Sequence, residues 1–239
     1  MKKLVIIPTY NEIDNISKMI DTVMALKGGY DMLVIDDGSP DGTAKVVKER
    51  QAEFPERLHL LERSGKLGLG TAYIMGFKWA LERDYDYVFE MDCDFSHNPD
   101  DLVRLHQMAT QGYDVVVGSR YVKGVNVVNW PMSRLLMSYF ASVYVRLVTR
   151  MPVRDATAGF VCYSRKALET LDLDAVKMKG YGFQIEMKYS AWRLGLKVGE
   201  VSIIFTERQE GASKMSGGIF GEAFFGVLKL PFRRISARK

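Results

Sequence analysis

The feature that most constrains this chain is the rhythm of its first half, where short, mostly apolar β-forming runs alternate with amphipathic stretches at close spacing. The runs are Leu4–Ile7, Met32–Ile35, Leu58–Leu61, Val88–Met91 and Val115–Val117. A strand with one wet face alternates apolar and polar residues, whereas a near-continuous apolar run belongs to a sheet covered on both faces. Between the runs, Ile16, Ile20, Val23 and Met24 recur at helical spacing after Asn11, and Gly28-Gly29 stops the pattern. A second helix is expected from about Ala44 to Phe54. A third leaves the loop Gly65-Lys66-Leu67-Gly68-Leu69-Gly70 and runs through Leu81, and Pro99 opens a fourth carrying Leu102, Leu105 and Ala109. This order predicts an α/β fold with a mostly parallel central sheet flanked by helices. A length of 239 residues suits one sizeable domain. After Tyr121 the texture changes. Ser133–Thr149 is helical and apolar nearly all round, Gly159–Tyr163 is β-like, Phe183–Leu194 is helical and Val198–Phe205 reads as a last strand. From Gly217 a glycine-broken apolar helix ends among Lys229, Pro231, Arg233, Arg234, Arg238 and Lys239.

A parallel sheet takes its ligands beyond the carboxyl ends of its strands. That edge would carry Pro8-Thr9-Tyr10-Asn11-Glu12, Asp36-Asp37-Gly38, Asp92-Cys93-Asp94 and Gly118-Ser119-Arg120. In the third cluster, strand alternation puts Asp92 and Asp94 on one side. Carboxylates that close repel one another unless a cation lies between them. Hard ions such as Mg²⁺ or Mn²⁺ take oxygen ligands from one or two carboxylates plus substrate phosphates. The expectation is a metal-assisted site for a diphosphate. Asp-x-Asp alone is as well explained by two solvated acids, but three acid clusters and an arginine on one edge are not.

The remaining motifs are weaker. The glycine loop at 65–70 lacks the Gly-Lys-Ser/Thr of a P-loop, and Tyr73 stands where a dinucleotide fingerprint needs its third glycine. A flexible turn and a direct phosphate contact are both compatible with it. Cys93, a soft ligand, should point away from a hard ion. His97 suits either an acid–base or ligand role or, as the preferred reading for a lone loop histidine, a structural one. Arg120, Arg208 and Lys214 are candidate counter-charges for phosphates, and the last two bracket Gln209–Ser213, a loop suited to closing over a ligand.

Charge and composition set limits. A net charge of +4 is too small for a nucleic-acid binder, and no basic stripe with interleaved aromatics lies outside the tail. Two cysteines make no disulfide framework and suit a reducing compartment. Leu4–Ile7 is too short for the core of a signal peptide. The uncharged stretch Leu135–Val145, between Arg134 and Arg146, falls short of a membrane span. The chain is therefore expected to be cytoplasmic and peripherally membrane-associated. Residues 135–148 and 219–232, apolar with basic ends, would lie in an anionic interface; for 135–148 ordinary core packing is equally compatible.

Taken together, in order and spacing, these clusters resemble the inverting glycosyltransferases of family 2 with the GT-A (nucleotide-diphospho-sugar transferase) fold. Within it, they resemble the catalytic subunits of the dolichol-phosphate (polyprenol-phosphate) mannosyltransferases. The resembling segments are 8–12, Ile-Asp-Asp-Gly-Ser-Pro-Asp-Gly-Thr at 35–43, Lys-Leu-Gly-Leu-Gly-Thr-Ala-Tyr at 66–73, Met-Asp-Cys-Asp-Phe-Ser-His at 91–97, Gly-Ser-Arg-Tyr at 118–121 and Gly-Tyr-Gly-Phe-Gln-Ile-Glu-Met at 180–187, with Arg208 and Ser213-Lys214. Coverage runs from Lys2 to about Met215.

The resemblance implies a GT-A domain over 1–215, with about 1–121 as the donor side and 122–215 as the acceptor side, followed by a basic amphipathic tail at 216–239. It implies mannose transfer from GDP-mannose to a dolichyl or polyprenyl phosphate, giving the β-linked lipid-phosphate mannose with Mg²⁺ or Mn²⁺. By the same analogy Pro8, Tyr10, Glu12, Ile35 and Asp37 hold the nucleoside. Asp92, Asp94 and the Cys93 backbone meet the sugar-diphosphate and metal, Ser96 is a further metal ligand, and Arg120, Arg208 and Lys214 contact phosphates. Asp92, Asp94 and Arg208 would be the catalytic residues. The family usually has alanine where Cys93 stands. The chain resembles the short form, which works with membrane partner subunits or sits on the bilayer alone. The Gln-x-x-Arg-Trp signature of polymerising relatives is missing; Gln184-Ile185-Glu186-Met187 stands in the late helix, with Trp192-Arg193 in reverse order. A lipid monophosphate, largely dianionic at neutral pH, would need no general base. The rival expectations are UDP-glucose or another nucleotide sugar as donor, and a non-catalytic nucleotide-sugar binder recruited to a membrane.

Overall fold

The structure is a computed structural model whose described residues are 1–178, 180–207 and 218–238, with side chains from 224 onward in the last stretch. The expected alternation forms: β1 (Lys3–Thr9), α1 (Ile13–Ala25), β2 (Asp31–Asp36), α2 (Thr43–Arg50), β3 (Leu58–Glu62), α3 (Leu69–Leu81), β4 (Tyr87–Glu90), α4 (Asp101–Ala109) and β5 (Val115–Ser119). The two faces of β1 show why its run is uninterrupted. Leu4 and Ile6 enter a core shared with Tyr73, Phe77 and Phe183. Val5 and Ile7 enter the opposite core, with Ile16, Ile20, Val23, Leu102 and Leu105. Period-two alternation buries both sets because helices cover both sides.

β1 outlasts the apolar run Leu4–Ile7: it passes through Pro8 and continues to Thr9, paired with Asp36. The pairs with β4 stop at Ile6–Glu90, and the Asp37 N–H bonds the Thr9 carbonyl on the β2 side. Strand alternation therefore turns the Pro8 nitrogen toward β4, beyond the last rung, where a missing N–H breaks nothing.

The second half supplies β6 (Val127–Val128), α5 (Met132–Thr149), β7 (Val161–Ser164), α6 (Arg165–Thr170), α7 (Gly180–Arg193), β8 (Val198–Ser202), β9 (Phe205–Thr206) and α8 (Gly218–Lys229). The strand expected over 198–205 is thus two. β8 extends the main sheet, whereas β9 leaves it and pairs in parallel with β6. The main sheet runs β3-β2-β1-β4-β7-β5-β8, parallel throughout except for β7, which is antiparallel to both β4 and β5. One sheet thus draws strands from both sides of residue 121.

Helix α5 buries only Ser142, Val145 and Thr149, a stripe spaced three and four residues apart. Met132, Leu136, Met137, Tyr139, Phe140 and Leu147 stay exposed, so this is not a core helix. It packs beside α8, with the Tyr144 and Phe224 rings stacked 4.7 Å apart. Among the described residues no helix is long and apolar enough to cross a membrane.

Candidate active site

The carboxyl ends of β1, β2, β4 and β5 meet at one edge, and each turn leaving it is held by a polar side chain. Asp36, buried, accepts the Thr9 hydroxyl at 2.9 Å and the Ser39 N–H at 2.8 Å, locking β1 to β2. Glu12 occupies the N-cap of α1 and donates its N–H to Thr43 Oγ1 at 3.0 Å. Asp37 is paired with Arg63, whose Nε lies 2.6 Å from Oδ1. Burial raises the Asp37 carboxyl above its ordinary value, with Arg63 pulling the other way. The same guanidinium reaches Thr71 Oγ1 at 2.7 Å and the Gly68 carbonyl at 3.2 Å, so one buried arginine fixes the glycine loop against Asp37. Lys66 of that loop stands 3.7 Å above the Tyr10 ring. Pro8 and Tyr10 are half-buried at the same edge. Ile35 is fully buried in the core and shapes the sheet beneath.

Past β4 the chain turns tightly, with the Ser96 N–H on Asp94 Oδ1 at 3.1 Å and Phe95 at φ 57, in the left-handed region that an aromatic residue adopts rarely. The turn aims Asp92, Asp94 and Ser96 into a cavity of about 490 Å³. Cys93 points the other way, into the core with Phe89 and Leu102, as a soft side chain between two hard ones should. His97 is buried, stacked on Phe160 at 4.9 Å and edge-on to Phe205 at 5.1 Å. Burial pushes its imidazole down to about 4, which leaves it neutral at physiological pH.

No third Cys, His, Asp or Glu joins the two aspartates in a closed metal cage among the described residues. Two carboxylates at an open cavity do fit a hard divalent ion that keeps other positions for water and phosphate oxygens. Arg208 and Lys214, expected beside the phosphates, lie outside the described residues.

The cavity changes character along its length. At the polar end stand Asp92, Asp94, Arg120, Trp130 and Arg134; at the other are Met137, Phe140 and Tyr144 of α5 with Phe224 and Val227 of α8. Arg120 does line it, but its charge is already matched. Buried Asp155 accepts from its backbone N–H at 2.9 Å, Nε at 2.7 Å and Nη2 at 2.6 Å. Arg134 is the more available cation, at the start of α5, 4.1 Å over Trp130 and paired with half-buried Glu207 at 2.8 Å. Gln184, in the cavity lining, donates to buried Glu90 at 2.7 Å. Lys188 donates to the Ala158 carbonyl at 2.6 Å and the Gln184 side-chain oxygen at 3.3 Å. Burial pushes Glu90 up to about 8 and Lys188 down to about 8.

Sequence reasoning assigned no role to Arg63, Arg134, Asp155, Glu90 or Lys188. The available signal for Arg134 was its place at the head of an apolar helix, and for Glu90 its place as a lone acid in an apolar strand.

The chain matches the profile described as Glycosyl transferase family 2 over residues 4–172. It is 47% identical over 229 residues to the undecaprenyl-phosphate mannosyltransferase of Micrococcus luteus, covering 96% of this chain and 93% of that protein. It is 45% identical over 232 residues to the polyprenol monophosphomannose synthase of Mycolicibacterium smegmatis, covering 97% and 88%. Among solved structures it resembles glucosyl-3-phosphoglycerate synthase from Mycobacterium tuberculosis in complex with Mn²⁺, UDP-glucose and phosphoglyceric acid. That match has a TM-score of 0.69 at 19% identity and covers 97% of this chain and 80% of that one. At that identity the likeness is one of fold.

Proposed function

Because the chain belongs to glycosyl transferase family 2, we propose that it uses GDP-mannose as donor, a divalent cation on Asp92 and Asp94, and a bilayer-borne polyprenyl (dolichyl-type) phosphate as acceptor. Mannose transfer to a polyprenyl phosphate is the activity of the enzyme, in keeping with two relatives matched over nearly its whole length. The donor base, the metal and the membrane contact are our reading.

What carries this reading is the chemistry of the cavity wall. Among the described lining residues Asp92 and Asp94 are the only carboxylates, and the one histidine is buried and neutral. With both acids facing a cation, no described lining residue stands ready to deprotonate a hydroxyl, which favours an acceptor that arrives as an anion. A monophosphate ester does, because its second pKa is near 6. The apolar wall of α5 and α8 then suits an isoprenoid chain, leading away from the polar end where the phosphate would sit.

An acceptor phosphate oxygen attacks the anomeric carbon from the face opposite the diphosphate, the new C–O bond forming as the old one breaks. An α-linked donor thus yields the β-linked product. Arg134 and the backbone around Arg120 orient the incoming phosphate. Trp130 closes one side, its indole N–H without a partner among the described residues. A bound Mg²⁺ or Mn²⁺ supplies charge neutralisation at the departing diphosphate. Arg208 and Lys214 are assigned to the same charge, and Tyr10, Glu12 and Asp37 to the nucleoside.

The exposed apolar residues of α5 and α8, flanked by Arg146, Arg150 and Lys229, are assigned to the surface of an anionic bilayer. A membrane partner subunit is the other candidate for that face. Flotation with anionic vesicles, which should carry the pure protein upward, separates the two.

The test of the function is transfer of radiolabelled sugar from GDP-mannose or UDP-glucose to a polyprenyl phosphate by purified protein. Product from GDP-mannose alone is expected. Product from UDP-glucose alone would overturn the donor assignment, and none from any donor would leave a non-catalytic binder.

A further inference from the structure

The last residues of the chain do more than end it. Helix α8 supplies Phe224 and Val227 to the apolar end of the cavity, yet it has only 12 residues and leaves Phe225 and Leu228 exposed. A helix that short is marginal alone and must be held by its neighbours. On one side Tyr144 stacks on Phe224 and donates its hydroxyl to the Phe224 carbonyl at 2.9 Å. On another, Met178 wedges beneath Gly226, where an added Cβ would lie 2.5 Å from its Cε.

Beyond α8 the chain buries Leu230 and crosses the back of α7. The Arg233 guanidinium bonds the Glu186 carboxylate and the Ala175 carbonyl. Glu186 is 1% exposed, and its other oxygen accepts the N–H groups of Lys177 at 3.0 Å and Met178 at 2.7 Å. The strap finishes on α6, with Ala237 bridged to Leu171 and the Arg238 N–H on the Thr170 carbonyl at 2.9 Å. Releasing it would take the Arg233 charge away from a buried carboxylate that also orders Met178, the residue beneath Gly226. The polar end of the cavity is built from the turns after β4 and β5 and from the head of α5; of these elements the strap packs on α5, through Leu230–Phe232.

We propose that residues 230–238 hold α8 in place as the distal wall of the acceptor channel, so that Arg233 is a positioning residue governing how well long polyprenyl chains bind. The proposal rests on the lipid-phosphate reading above and deepens it. Loosening α8 removes contacts with remote isoprene units and leaves the phosphate and the donor where they were.

The experiment compares wild type, Arg233→Ala and Arg233→Lys on two acceptors, a long polyprenyl phosphate and two-isoprene geranyl phosphate. Losing burial of roughly two methylene groups against the wall corresponds to about a tenfold rise in KM. That rise is expected in Arg233→Ala for the long acceptor alone, with the KM values for geranyl phosphate and GDP-mannose unchanged and recovery in Arg233→Lys. An unchanged long-chain KM, or equal losses on both acceptors, would overturn the proposal. A wild-type protein inactive on both would instead overturn the lipid-phosphate reading, and the acceptor role with it. Hydrogen exchange at 218–229 tests the strap without turnover: Arg233→Ala should speed exchange there and not in α1 or α4, and unchanged exchange would refute it.

Discussion

Asp155→Ala should destabilise the protein severely although Asp155 touches no expected ligand. Its carboxylate is fully buried and takes three N–H bonds from Arg120, itself 8% exposed. Removing one member of a buried pair leaves the other charge uncompensated, at a cost of about 3–5 kcal/mol. What Arg120 keeps is the Thr157 hydroxyl at 2.9 Å and the faces of Tyr121, Trp130 and Phe205 at 5.2 to 5.6 Å, contacts already made in the wild type. In a chain of this size each kcal/mol moves Tm by about 2–4 °C, so the loss should be about 6–20 °C. Urea unfolding at neutral pH gives the free energy and a thermal scan the Tm. The double variant Arg120→Met/Asp155→Leu should recover most of the loss, because the cost lies in the orphaned charge rather than in the missing pair. Burial works to raise the Asp155 carboxyl, but Arg120 outweighs it and holds the group below its ordinary value. The stabilisation is therefore complete at neutral pH and disappears as pH falls through that lowered value. A single variant within about 1 kcal/mol of wild type, or a double variant no better than the single, would refute this account of Arg120.

Other outcomes follow from the same geometry. Asp94→Ala should cost at least about a hundredfold in turnover, as loss of a transition-state charge contact does, and EDTA should silence the wild type with recovery on adding Mn²⁺. Arg134→Ala should raise KM for the lipid phosphate and leave KM for GDP-mannose unchanged, which steady-state kinetics separates. Burial raises Glu90 from 4.5 to about 8, so the folded state binds a proton that the unfolded state has lost. Stability should accordingly decline across that window as pH rises, and Glu90→Gln should flatten the slope in urea titrations.

The sheet's first half was legible because each strand is a local run and each helix a local period, so no partner need be known to recognise them. The edge carrying Asp36, Asp92 and Arg120 followed from the rule that parallel strands deliver ligands at their carboxyl ends. What stayed hidden depends on pairing at a distance. Val161–Ser164 looks like any short β run, and nothing in it says that it enters between β4 and β5 in the reverse direction. The partner of Arg120 lies 35 residues on and that of Arg233 lies 47 residues back, and nothing local to either arginine points to the distant acid it meets. Helix α5 was ambiguous for another reason: apolar residues all round describe a buried helix and an interfacial one equally, and only the packing showed that Phe140 and Leu147 face outward.

The measurement closest to the central claim compares a polyprenyl phosphate with the corresponding polyprenyl alcohol as acceptors for labelled mannose from GDP-mannose, in the presence of Mn²⁺. A cavity whose only carboxylates among the described lining residues face a cation should mannosylate the phosphate and leave the alcohol untouched. Transfer to the alcohol at a comparable rate would mean that a general base operates here, and would contradict the account.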